Sequence, residues 1–142
     1  MKLQPLYRAT FAYPQAWGVE LGSEGQHFFL ADGRCEGRVA GALRGANHPR
    51  RRQDGTFLPN FQGVIETEDG AIVWFDWGGY GRAYPVGRRQ IVGWGLHLSE
   101  DERYRFLNDS VCALAGEVRT LDDGGVELVL DAAEIVWEPL AE

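Results

Sequence analysis

The most informative stretch of the sequence is residues 66–97, ETEDGAIVWFDWGGYGRAYPVGRRQIVGWGLH. Its first part, Thr67–Gly70, has the composition of a tight turn, and Ala71–Trp77 is rich enough in β-branched and aromatic residues to predict a strand. The glycines of Gly78–Gly81 predict a bend, after which Arg88–Leu98 returns as a second strand. The middle of the chain is therefore predicted to be a tryptophan-rich pair of strands.

Strand-like patterns continue on both sides of this pair. They lie at residues Leu6–Tyr13, His27–Leu30, Arg34–Ala46, Gln62–Glu66, Val111–Arg119 and Glu127–Trp137. Pro14 is expected to end the first of them. The segment Ser99–Glu102 has the form of a capping box and predicts a short helix that ends near Leu107. We therefore expect an all-β fold, an antiparallel closed barrel of about eight or nine strands with one short helix, and a two-layer sandwich as the alternative.

Composition restricts the classes of function. The 142 residues suit one domain, residues 1–142, and 44% hydrophobic and 25% charged residues are ordinary values for a soluble globular protein. A net charge of −7 disfavours binding to nucleic acid and to anionic membranes. The N-terminus lacks the apolar segment of an export signal, and every uncharged apolar run is too short to span a bilayer. A cytoplasmic protein is expected.

Three segments resemble a known family. Thr67–Ala71, Gly78–Arg82 and Arg103–Asn108 are similar to segments of the bacterial and fungal family called domain of unknown function 3237, and the resemblance extends over most of the chain. That family forms a small barrel similar to allene oxide cyclase and, more distantly, to lipocalins, so the resemblance implies the same kind of barrel here. It implies no catalytic residues. Residues Gly55–Phe61 depart from the family, whose members often carry Gly-Ala-Asp-Trp in this region.

Two titratable residues are candidates for proton transfer. Asp76 shares a strand face with Trp74, and a carboxylate on a face that lines a lumen is suited to general acid or base chemistry. His97 lies on a face with Gly93 and Gly95, whose missing side chains would leave space for a ligand in front of the imidazole. The alternatives are an exposed Asp76 near the strand end and a His97 that is simply buried and hydrogen-bonded.

Aromatic and cationic residues supply candidate walls and anchors for a ligand. We assign Arg82, together with His48 beside its arginine-rich loop, to an anionic group of the ligand, although an arginine run of this kind is more often a solvated loop. The expected wall residues are Trp74, Trp77, Tyr80 and Trp94. No metal is expected, because His27, His48 and His97 are widely spaced and the cysteines show no ligand spacing. No cofactor is expected either, because the sequence contains no P-loop and no dinucleotide fingerprint.

Three hypotheses about function remain open. In the first, the lumen binds a small apolar or aromatic molecule and promotes its cyclisation, isomerisation or elimination without a cofactor. In the second, the protein is a non-catalytic carrier of a small lipophilic compound. In the third, side chains fill the barrel and its outer strands form a homodimer or a higher homo-oligomer.

Overall fold

The structure of the chain, a computed structural model, describes residues 1–84 and 88–142. Within these residues it contains ten strands and one short 3₁₀ helix, Arg105–Asp109. The strands are β1 (Lys2–Leu21), β2 (Glu24–Gly37), β3 (Gly41–Asn47), β4 (Arg50–Arg51), β5 (Phe57–Leu58), β6 (Asn60–Thr67), β7 (Ile72–Tyr84), β8 (Arg88–Leu98), β9 (Cys112–Thr120) and β10 (Val126–Val136). No helix in this part of the chain is long and apolar enough to cross a membrane.

Eight of these strands pair with one another in a ring. Every pair is antiparallel, and the order around the ring is β1, β2, β3, β6, β7, β8, β9, β10 and back to β1. The short strands β4 and β5 form a second bridge, from β2 to β7, at one edge. The predicted all-β fold of antiparallel strands is confirmed.

Two predicted interruptions of strands are wrong. Pro14 does not end β1, because the pairing with β2 shifts register between Ala12 and Gln15, and a bulge tolerates a residue that has no N–H to donate. The Gly78–Gly81 segment does not bend away either, and β7 continues through it. Gly79 has φ +133°, and a Cβ there would lie 2.4 Å from the Cα of Gly93, so glycine allows β7 and β8 to approach closely.

One end of the ring is filled by side chains. Alternate residues of the strands point inward, and Val73, Phe75 and Ile65 are fully buried in one continuous core. The 3₁₀ helix and the turn before it add Tyr104 and Leu107 to that core. We call the end that these two residues cover the plugged end, and the opposite end the open end.

The helix is shorter than predicted and begins later. The Ser99 hydroxyl donates its proton to the carbonyl of Ile72, the first residue of β7, at 2.7 Å. Its oxygen accepts a 3.3 Å bond from the Asp101 N–H, two residues along, and the Asn108 amide binds both backbone groups of Ser99. These bonds stabilise a turn, and only Arg105–Asp109 has helical form.

Candidate functional site

A largely apolar cavity of about 220 Å³ lies at the open end of the ring. Its walls come from seven of the eight ring strands, from β5 and from two neighbouring prolines, and the residues are Tyr13, Phe29, Asn47, Pro49, Phe57, Pro59, Gly81, Arg89, Ile91, Val118, Val126 and Leu128. A buried apolar cavity of about 150 Å³ is enough to bind benzene. The space therefore suits a compact apolar molecule.

Strand alternation brings these side chains into the cavity. Ile91 of β8 and Val118 of β9 continue the inward-facing rows that are buried further down the ring. Phe57 belongs to β5, which β4 and β7 hold against this edge. Gly81 leaves its part of the wall open, since a Cβ built there would meet only ordinary contacts, 3.7 Å from the Phe57 Cβ and 3.9 Å from the Arg89 Cδ. The cavity exists partly because this position has no side chain.

Tyr13 and Asn47 form the polar corner of the cavity. The Asn47 amide donates to the Tyr13 hydroxyl at 3.1 Å, and its carbonyl oxygen accepts a 3.1 Å bond from the Asn60 backbone N–H. Burial raises the pKa of Tyr13 to about 12, although the Asn47 bond opposes that effect. Its hydroxyl is therefore neutral near pH 7, and nothing in the described chain accepts its proton. This proton is available to a polar group of a ligand.

Arg89 stands exposed at the mouth of the cavity. Its guanidinium carbon lies 4.8 Å from the centre of the Phe57 ring, a cation–π distance that holds the charge beside the apolar opening. Most arginines of the protein pair with a carboxylate, but no carboxylate among the residues with described side chains pairs with Arg89. The mouth therefore presents an uncompensated positive charge.

A second group of polar residues borders the mouth without lining the cavity. The His27 ring lies 5.7 Å from the Phe57 ring and 5.9 Å from the Phe29 ring. Its Nε2 atom is 2.9 Å from one oxygen of Glu20, whose other oxygen accepts a 2.6 Å bond from Arg51. These contacts hold the ring against two wall residues.

Five of the predicted site residues point away from the interior. Strand β7 buries Val73, Phe75 and Trp77, so the intervening side chains lie on the outer surface. These outward residues are Trp74, Asp76, Tyr80 and Arg82 on β7 and Trp94 on β8. The sequence could not decide the orientation because both alternating sets of β7 contain large apolar and aromatic residues.

The expectation that Asp76 and His97 share a pocket is therefore wrong. Asp76 accepts a 2.7 Å bond from the Gln62 side chain on the outer surface. His48 also stays outside the cavity wall, with its Nε2 atom 2.9 Å from the Gln26 side-chain oxygen. Trp77 points inward as expected, but it packs in the core beside Phe75 at a ring distance of 4.3 Å and does not line the cavity.

His97 lies inside the ring, within the filled part of the core. Its Nε2 atom and the Tyr7 hydroxyl are 2.7 Å apart, and its Nδ1 atom is 3.9 Å from the Cys112 sulfur. Burial lowers the pKa of His97 to about 4, an effect that Glu134 partly opposes. Burial also raises the pKa of Tyr7 well above its ordinary value and that of Cys112 to about 11. This is a neutral, hydrogen-bonded cluster that does not line the cavity.

The low pKa of His97 predicts a specific pH dependence of stability. Between pH 6.5 and about 4 the unfolded chain binds a proton at this residue that the folded chain does not, so stability should fall by about 3 kcal/mol as pH falls through this range. Urea unfolding of wild type and His97→Gln at several pH values in that range measures how steeply the free energy of unfolding of each protein depends on pH. Parallel pH profiles would show that the folded imidazole titrates normally.

The residues with described side chains include no group of three or more His, Cys, Asp or Glu that is placed to hold a metal ion. Sequence reasoning also missed the residues that do line the cavity. Tyr13 ends the predicted strand Leu6–Tyr13, where the sequence indicates no role for it. Asn47 precedes His48, and Arg89 lies in a basic pair at the start of β8, so nothing local distinguishes either from a surface residue.

Comparisons with known proteins identify the fold. No protein-family model and no curated protein matches the chain. Among solved structures, a β-barrel-like protein from Acinetobacter baumannii AYE superposes with a TM-score of 0.79 at 18% identity, covering 94% of each chain. A protein of unknown function from Clostridium acetobutylicum has a TM-score of 0.82 at 13% identity, covering 96% of this chain and 100% of its own.

A third similar structure is that of an enzyme from Penicillium herquei. It has a TM-score of 0.62 at 19% identity and covers 92% of this chain and 93% of its own. At such low identity the likeness concerns the fold alone. The chain therefore has an all-β, β-barrel-like fold that is shared with proteins from several organisms.

Proposed function

We propose that the eight-stranded ring is a closed barrel of the allene oxide cyclase and lipocalin kind, and that its open end binds a small apolar or aromatic molecule bearing an anionic group. The observation that carries this proposal is the 220 Å³ apolar cavity with an unpaired arginine at its mouth. Membership of the domain of unknown function 3237 family, which the sequence resembles, stays a prediction.

The cavity supports one orientation of such a ligand. Its apolar body would lie among Phe29, Ile91 and Leu128, where burial contributes about 25 cal/mol for each Å² removed from water. The carboxylate or other anionic group would remain at the mouth beside Arg89. A hydroxyl or carbonyl on the body would accept the free proton of Tyr13. Non-catalytic binding needs nothing more than these contacts.

A cofactor-independent cyclase, isomerase or lyase is the second candidate. Tyr13 favours it, because a neutral hydroxyl oriented by Asn47 can donate a hydrogen bond or a proton to an oxygen that gains charge in the transition state. No carboxylate with a described side chain lines the cavity, so a general base is not evident. Chromatography of a bound compound before and after incubation with the protein would reveal an isomeric product and separate an enzyme from a carrier.

Thermal-shift measurement with a panel of compounds tests the binding proposal. Ligands that bind the native state raise the unfolding temperature by an amount that grows with the ratio of ligand concentration to Kd. The panel pairs compact aromatic and alicyclic carboxylic acids with their neutral amides, and adds sugars as polar controls. We expect stabilisation by acids that fit the cavity. Stabilisation by sugars alone, or by no member of the panel, would contradict the proposal.

Arg89 should contribute to affinity for the acids only. Replacing it with glutamine removes the charge and keeps much of the side-chain length, so we expect about tenfold weaker binding of an acid that stabilises the wild type. Binding of the matched amide should hardly change. Arg82→Gln, on the outer surface, is the control and should leave both affinities unchanged. An equal loss for acid and amide in Arg89→Gln would show that Arg89 does not bind the anionic group.

A further inference from the structure

The outer surface of β7 and β8 is unusually apolar. Six large apolar side chains there are between 43% and 61% exposed, namely Ile72, Trp74, Val92, Trp94, Leu96 and Leu98. We call this surface the β7–β8 face. It lies outside the ring and is separate from the cavity at the open end.

The β7–β8 face is continuous. Trp74 pairs with Leu98 across the two strands, and Asp76 pairs with Leu96. The indole of Trp94 lies across Gly78, since a Cβ on that glycine would be 2.4 Å from the Trp94 Cζ2 atom. Because directly paired side chains lie about 5 Å apart, the six residues form one patch.

Charge is nearly absent from this face. Asp76 is its one carboxylate between Ile72 and Tyr80, and that group is half-buried and hydrogen-bonded to Gln62. Other parts of the outer surface carry exposed ion pairs, such as Arg8 with Asp131 and Arg34 with Glu68. The patch thus has the composition of an interface centre, with aromatic residues and few charges.

The area of the face approaches that of a protein interface. From their exposed fractions the six side chains present roughly 600 Å², at the upper limit for the largest apolar patch of a typical monomer. A stable complex buries about 800 Å² on each partner. Val64 on β6 and the small residues Ala113 and Ala115 on β9 flank the patch and extend it towards that value.

We propose that the β7–β8 face binds a second copy of this chain. An apolar, nearly uncharged surface matches another copy of itself without needing complementary charges, and two such faces can pack as stacked sheets about 10 Å apart. An acidic or basic partner would find few charges to pair with. An anionic membrane is disfavoured because the chain carries a net charge of −7.

Light scattering coupled to size-exclusion chromatography tests this interface. Wild type should have the mass of two 15.9 kDa chains, and Trp94→Arg should weaken association by about 100-fold or more, because it places a charge in the patch centre. Leu96→Asp, which puts a second carboxylate opposite Asp76, should act in the same direction. Both changes lie on the surface, and circular dichroism checks that each variant is folded.

Trp137→Arg is the matched control. Trp137 is 78% exposed and lies beyond the end of β10, so this change should leave the mass unaltered. A wild type that is one chain at every soluble concentration would overturn the proposal. So would association that survives both changes in the face, or that Trp137→Arg abolishes while Trp94→Arg does not.

Discussion

Replacing Phe75 with alanine is expected to lower the free energy of unfolding by about 4 kcal/mol. Phe75 is fully buried at the centre of the core, and its ring packs 5.4 Å from that of Phe61 and 4.3 Å from that of Trp77. Its Cζ atom lies 2.5 Å from where a Cβ on Gly63 would stand, so the ring fills space that the glycine leaves. The β-strand backbones around it cannot close the resulting cavity.

Urea unfolding followed by circular dichroism measures this effect. Phe28→Ala is the matched control, because Phe28 is 44% exposed on the outer side of β2 and its loss should cost less than about 1 kcal/mol. Similar losses in the two variants would show that the interior around Phe75 is not the close-packed part of the ring.

Replacing Gly81 with phenylalanine is expected to abolish ligand binding without unfolding the protein. The new side chain would enter the cavity from β7, where a Cβ meets only contacts of 3.7 Å or more. No left-handed backbone angle is required at this position, so a larger residue causes no backbone strain. A phenylalanine would occupy much of the 220 Å³ space, and we expect affinity to fall by about 100-fold or more.

Calorimetric titration with an acid that stabilises the wild type measures that loss. Gly81→Ala is the control, because a single methyl group leaves most of the cavity open and affinity should change by less than about threefold. Unfolding temperatures of both variants without ligand show whether the fold is intact. Full affinity in a folded Gly81→Phe variant would place the ligand somewhere other than this cavity.

Much of the fold is predictable from local sequence. The strands predicted at Val111–Arg119 and Glu127–Trp137 are present as the paired strands β9 and β10, and β8 has the predicted bounds Arg88–Leu98. The local sequence is sufficient to predict these elements, because β-branched residues and turn glycines act on the backbone nearby. The return of β10 to β1 is different, since it joins the two ends of the chain and no local pattern specifies it. The local sequence therefore predicts the individual strands, whereas their closure into a ring is seen only from the strand pairing in the structure.

The candidate site was less predictable for a physical reason. A strand with one apolar set of residues shows which side faces the core, but β7 alternates Val73, Phe75 and Trp77 with Trp74 and Asp76. Its outer set is largely apolar too, in keeping with an interface. The prediction from sequence therefore gave ligand-binding roles to residues of the wrong face. The true cavity depends on a glycine and on wall residues contributed by distant strands.

Nuclear magnetic resonance of labelled methyl groups is the sharpest test of ligand binding at the open end, because it reports where a ligand binds. On titration with a stabilising acid, binding at the open end predicts shift changes at the cavity residues Ile91, Val118 and Leu128 and little change at the buried core residues Ile65 and Val73. Changes confined to methyl groups of the β7–β8 face, or the same small changes throughout the protein, would contradict it.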